Sequence, residues 1–218
     1  SASPEALAKA QDFMYLAEGS DWFWWYGTDQ DSGQDSYFDE GYRALLKGVY
    51  ISLGVDYPAF LDIPVIQPQP LKPDVAVSGE MTPVVDGIIG EDEWATAAIY
   101  EGVEGDPIQS FAYGMDQEKL YLRFDLAEPL GDFRRLLVYL NAPGDLDKLM
   151  LGVGHKTPLV SPASRVIELM TGNNPITLYK SNGSGWEPAQ KLDGELAVDG
   201  QIVELSLDKS VLGEVSAG

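Results

Sequence analysis

The residues best suited to chemistry are concentrated in one run. "SDWFWWYGTDQDSGQD", Ser20 to Asp35, sets the rings of Trp22 to Tyr26 side by side between Asp21 and an acidic, glycine-broken loop. Aromatic faces pack on the C–H faces of sugar rings, and carboxylates accept hydrogen bonds from sugar hydroxyls. The run therefore has the makings of a sugar-contacting surface, with Asp21, Trp22, Trp24 and Trp25 as its candidate contacts. Each has a plainer reading as well: the tryptophans as packing between helices, Asp21 as a local cap beside Ser20. Trp186, in the turn-rich "SNGSGWEPA", is a further candidate, either stacking on a sugar or packing on a hairpin. Trp94, in "GEDEWATA", has the setting of a core plug.

Other chemistries find less support. Cysteine is absent and His155 is the only histidine, which removes disulfides, thiolate catalysis and the usual zinc sites. Asp29, Asp31, Asp35 and Glu40 have part of the spacing of a calcium-binding EF-hand loop. Gly33 stands where a ligand belongs and Gln34 where glycine is needed, so helix capping and solvated acids explain the loop better. With 35 acidic against 14 basic residues, the net charge of −21 repels nucleic-acid phosphates and anionic lipid. It suits a secreted protein that meets a neutral polysaccharide. No apolar stretch reaches the roughly 18 residues of a membrane span.

The elements that must position these residues change character along the chain, which predicts an α+β fold. Residues 1–63 have helical spacing. Ser3, Pro4 and Glu5 form a helix start, Ala6, Ala10, Phe13, Met14 and Ala17 share a face, and Gly19 is the stop. A second helix is capped by Asp35 or Ser36 and ends at Gly54, with an apolar stripe through Phe38, Tyr42, Leu45, Leu46, Val49 and Leu53. Gly41, Ala44 and Gly48 give it a small-residue face for close packing. Prolines at 64, 68, 70 and 73 mark a stiff linker over 64–74. From 75 to 218, short runs rich in β-branched and aromatic residues predict an antiparallel β-sandwich. Among them are "PVVDGII", "IQSFAYGMD", "KLYLRFDLA", "RLLVYLNA", "RVIELMTG", "ITLYKSN" and "QIVELSLD". "MDQEKLYLRFDL" has the form of a hairpin turning at Asp116–Glu118, and one helical turn is expected at "GEDEWATA".

Two resemblances attach to these motifs. "SDWFWWYG", followed by the acidic loop and "FDEGYR", resembles the C-terminal helical region of family 57 glycoside hydrolases of the amylopullulanase and α-amylase type. "TPVVDGIIGEDEWATA" with the "DQEKLYLRFDL" hairpin is similar to carbohydrate-binding modules of the family 9 or DOMON-like type. The first implies that Asp21 and the aromatics border a glucan cleft. The second implies a carbohydrate-binding sandwich and admits calcium as its cofactor, without identifying ligands. A retaining glycosidase needs two carboxyls about 5–5.5 Å apart, and in family 57 these come from a barrel upstream of the region resembled. The expectation is therefore a non-catalytic C-terminal fragment of an extracellular or cell-surface α-glucan-degrading enzyme. Its partners would be α-glucan and the missing barrel, and the sandwich would be cut short at its C-terminus. The alternative is a structural spacer or cell-surface contact domain with no sugar site. Stripped of a barrel, the aromatic run should bury at least one of Phe23, Trp24 and Trp25 against Phe38, Tyr42 and Leu45. Trp22 or a neighbouring aromatic should stay exposed or sit in a contact between chains.

Overall fold

A computed structural model describes residues 2–24, 26, 34–66, 72–131, 134–142, 144–154, 158–171 and 176–213, the Phe23 side chain excepted. The helices are α1 (Pro4–Ala17), α2 (Asp21–Trp24) and α3 (Asp35–Ser52). The strands are β1 (Ala98–Glu101), β2 (Ile108–Met115), β3 (Lys119–Leu126), β4 (Arg135–Leu140), β5 (Leu149–Leu151), β6 (Pro158–Ala163), β7 (Arg165–Met170), β8 (Ile176–Lys180), β9 (Gln190–Lys191), β10 (Gly194–Asp199) and β11 (Ile202–Asp208). The protein is thus α+β, helical at its N-terminus and built of antiparallel sheets beyond it. No helix among the described residues is long and apolar enough to cross a membrane.

The chain divides into two units. The first comprises Ser1–Gln69, Leu146–Ala163 and Ser181–Trp186, so that the β5–β6 pair and a short turn belong with the helices. In this unit Ser3 caps α1, its Oγ accepting from the Ala6 N–H at 3.1 Å, and Pro4 opens the first turn. Ala10 and Ala17 are buried, whereas Met14 is exposed and lies outside the packed face. α3 begins at Asp35 itself, after Gln34, so the expected cap residue stands inside the first turn, where its charge favours the helix dipole. Gly54 follows the helix with φ +69°, a left-handed conformation that glycine adopts without steric cost. Gly48 is buried under Phe13 of α1: a Cβ there would meet the ring at 2.8 Å, so the small-residue face does permit close helix packing.

The second unit comprises Pro70–Asp145, Ser164–Lys180 and Glu187–Gly218. It holds a five-stranded sheet, β1-β2-β3-β11-β10, and a four-stranded one, β4-β7-β8-β9. Leu120, Leu122 and Phe124 of β3 and Val203, Leu205 and Leu207 of β11 form one core with Ile167 and Leu169 of β7 and Ile176 and Leu178 of β8. The apolar side chains of this core recur at every second residue, and the opposite faces of β3 and β11 are buried as well, at Tyr121, Arg123, Glu204 and Ser206. The β2–β3 turn falls at Asp116, whose Oδ1 accepts from the Glu118 and Lys119 N–H groups at 2.7 and 2.6 Å. The Lys119 N–H, the Tyr121 hydroxyl and the Glu118 N–H, in that order, hold the Asp116 carboxyl below its ordinary range. Burial, reinforced by the Asp116 hydrogen bond, pushes the Tyr121 phenol up to about 12.

Two local expectations are corrected. "PVVDGII" forms no strand. Its donors bond to side chains instead of a ladder: Asp86 N–H and Gly87 N–H to Glu204 (3.1 and 2.9 Å), Ile88 N–H to Asp86 (2.8 Å) and Val84 N–H to Glu93 (2.6 Å). "GEDEWATA" makes successive i→i+3 turns, Glu93 to Gly90, Ala95 to Asp92 and Ala97 to Trp94, without becoming a helix. Trp94 is buried with Met81, Ala97, Ala112 and Tyr121 in a second cluster, as a core plug should be.

Arg165 clamps Asp145 with two bonds, Nε to Oδ2 at 2.8 Å and Nη2 to Oδ1 at 3.1 Å, and its Nη1 donates to the carbonyls of Ser210 and Val211. The Arg165 hydrogen bond is the main cause that lowers the Asp145 carboxyl from its usual 3.8. With the folded-state value depressed, the unfolded chain takes up this proton first. The stabilisation is present above the unfolded value and is lost as pH falls through the folded one. Asp145→Asn is therefore expected to flatten the acid loss of stability as pH falls below the ordinary carboxylate range. Denaturant titrations across that range check it, and an unchanged slope would exclude Asp145 as a source.

Candidate functional site

The aromatic run is resolved by packing on α3 into two different surfaces. Trp22, in α2, is half-buried: its ring meets Phe38 edge-on at 6.2 Å and Tyr42 at 6.1 Å. It lies over Gly41, where a Cβ would come within 3.3 Å of it, and its Nε1 donates to the Leu16 carbonyl at 2.8 Å. Trp24, two residues on in the same short helix, is 61% exposed. Asp21 is exposed at the first position of α2. Trp22 is thus the described ring on the α3 stripe, and Trp24 is the neighbour left in water, while the expected burial of Phe23 or Trp25 falls outside the described residues. A single helical turn sends residues 22 and 24 to opposite sides, so both cannot face α3. Trp25 and the Phe23 side chain lie outside the described residues, as do Asp29, Asp31 and His155.

Beneath this corner lies a buried polar knot made by "FDEGYR". Asp39 is 1% exposed. It accepts from Arg43 Nε at 3.3 Å, the Tyr26 hydroxyl at 3.3 Å and the Val65 N–H at 3.1 Å. Burial, with the Asp39 charge adding to it, pushes the Tyr26 phenol well above its usual range. Arg43 Nη1 also donates to the carbonyls of Leu61 and Asp62, both at 3.2 Å, which ties α3 to the turn of 3₁₀ helix Ala59–Asp62. Neither residue of this pair was singled out from the sequence, although its i,i+4 spacing was legible there. Its other partners were not.

Beside the knot opens a cleft of about 500 Å³ lined by Glu40, Lys47, Tyr57, Asp62, Leu151 and other residues of the same unit. Lys47 is paired with Asp62 at 2.6 Å and lies 5.2 Å from the centre of the Tyr57 ring. Glu40 is exposed, and its carboxylate has no partner among the described residues. The arrangement is equipped to bind: an open acceptor for hydroxyl groups and an apolar wall at Leu151. Its remaining charges already neutralise one another.

Trp186 belongs to this unit and not to the sandwich-bearing one. It is half-buried, its backbone bridges to Ser181, and its Nε1 donates to the Leu151 carbonyl at 2.8 Å. In the second unit the rings of Tyr100, Phe111 and Tyr113 stand 6.0–6.3 Å apart with tilts of 24–26°. All three are partly buried, and Phe111 and Tyr113 pack against the core. Among the described residues no group of three or more His, Cys, Asp or Glu side chains is placed to hold a metal ion. Comparison with family models, curated proteins and solved structures gives no match to this chain.

Proposed function

We propose that the chain is a non-catalytic C-terminal fragment of a secreted α-glucan-degrading hydrolase of the family 57 type, joined to a carbohydrate-binding sandwich module. The observation that carries this reading is the 61% exposed indole of Trp24 beside Asp21. Leaving a large ring in water forgoes several kcal/mol at about 25 cal/mol per Å² of apolar surface. A glucan edge is a fitting cover for it, because the ring takes the sugar's C–H face while Asp21 takes hydroxyls. Half-buried Trp186 and the cleft at Glu40 add contacts of the same kind.

Titration calorimetry with maltooligosaccharides tests the proposal on the whole chain. The expected dissociation constant lies in the range of about 1 μM to 1 mM, typical of a few stacking and hydrogen-bond contacts. Trp24→Ala is expected to weaken binding about tenfold, the equivalent of about 1.4 kcal/mol, and Trp186→Ala less. Starch and pullulan should not be hydrolysed. Turnover that persists through repurification and disappears in Asp21→Asn would overturn the non-catalytic assignment. Absence of binding to any glucan favours the spacer or cell-surface contact reading.

A further inference from the structure

We infer that one end of the sandwich unit binds a small amphipathic carboxylate, its hydrocarbon part lying in an apolar cleft and its carboxylate on Arg134. The inference does not depend on the glucan reading, since it uses a different unit and a different chemistry. The cleft measures about 550 Å³, within the range of small-molecule sites. Its walls include Pro107, Ile108, Leu126, Leu130 and Leu136. They are tied together before any ligand arrives. The Ala127 N–H donates to the Pro107 carbonyl at 3.0 Å, Gln201 Nε2 to the Ala127 carbonyl at 2.5 Å, and the Arg134 N–H to the Gly131 carbonyl at 3.2 Å. Such a wall offers few partners to sugar hydroxyls, so a polyhydroxylated ligand would lose more hydration than it regained.

The charge at the rim selects the head group. Two adjacent guanidiniums, Arg134 and Arg135, line this cleft in a chain with only 14 basic residues and a net charge of −21. Arg135 donates to Glu168 at 3.1 Å, a carboxylate only 8% exposed, and stays with it. Among the described residues Arg134 has only Glu128, at 3.5 Å, and the two side chains are 63% and 75% exposed. A pair that open to water is worth little, so Arg134 can exchange it for a bidentate bond to an incoming carboxylate. A single negative charge fits, because the net charge of the chain repels polyanions.

Equilibrium dialysis of the whole chain against octanoate and 1-octanol, two probes of equal chain length, separates head group from wall. The wild type should prefer octanoate by about tenfold, the scale of one charge-assisted contact. Arg134→Glu, at an exposed position, should remove that preference and leave octanol binding as it was. Arg134→Gln should do so in part. Leu130→Ser should weaken both probes together. Octanoate binding unchanged in Arg134→Glu, equal affinity of the wild type for the two probes, or no saturable binding of either overturns the proposal.

Discussion

Replacing Glu204 by alanine is expected to destabilise the sandwich unit by about 3–5 kcal/mol, the cost of stripping the charged partner from a buried polar cluster. Glu204 is fully buried in β11. One carboxylate oxygen accepts from the Asp86 and Gly87 N–H groups at 3.1 and 2.9 Å, the other from Trp94 Nε1 at 3.0 Å. Arg123 lies 5.2 Å from the centre of the Trp94 ring and is itself paired with Asp125 at 2.9 Å. Without the carboxylate the Gly87 N–H and Trp94 Nε1 are left buried and unpaired, at about 1–3 kcal/mol each before relaxation, while the part-buried Asp86 N–H loses its acceptor at less cost. Glutamine should rescue little, because its NH₂ must face either the indole N–H or the two backbone N–H groups. Urea unfolding of the wild type, Glu204→Ala and Glu204→Gln checks this. A loss below about 1 kcal/mol in the alanine variant would mean that water replaces the carboxylate.

The second large effect is expected at Asp39. Removing one member of a buried ion pair leaves the other charge uncompensated and costs about 3–5 kcal/mol. Asp39→Ala strands the Arg43 guanidinium as well as the Tyr26 hydroxyl and the Val65 N–H, so the helical unit should melt earlier. Asp39→Asn keeps an acceptor oxygen and should fall between the two. Near-ultraviolet dichroism follows the event directly, since Tyr26 and Tyr42 are in ring contact at 6.1 Å and Trp22 packs on Tyr42. Unchanged aromatic signal and unchanged melting in Asp39→Ala would mean that the helix pair holds without the knot. Neither variant touches Trp24, so loss of stability and loss of glucan binding remain separable.

Local rules in the sequence determined the parts of this protein that depend on neighbours along the chain. Ser3 and Pro4 start α1, Gly54 closes α3 at φ +69°, and Asp116 folds its own turn. The alternation of Leu120, Leu122 and Phe124 with Tyr121, Arg123 and Asp125 puts the apolar set on one face of β3, since a strand's side chains can only alternate, but the burial of Tyr121 and Arg123 on the other face is tertiary. Tertiary structure decided what depends on distant partners. "PVVDGII" has the composition of a strand, yet its N–H groups bond to Glu204, 118 residues beyond Asp86. No pattern within the segment announces that acceptor. Five consecutive aromatics likewise carry no period from which to tell an inward ring from an outward one. The gap above Gly41, sized for one indole between Phe38 and Tyr42, admits Trp22 and leaves Trp24 in water.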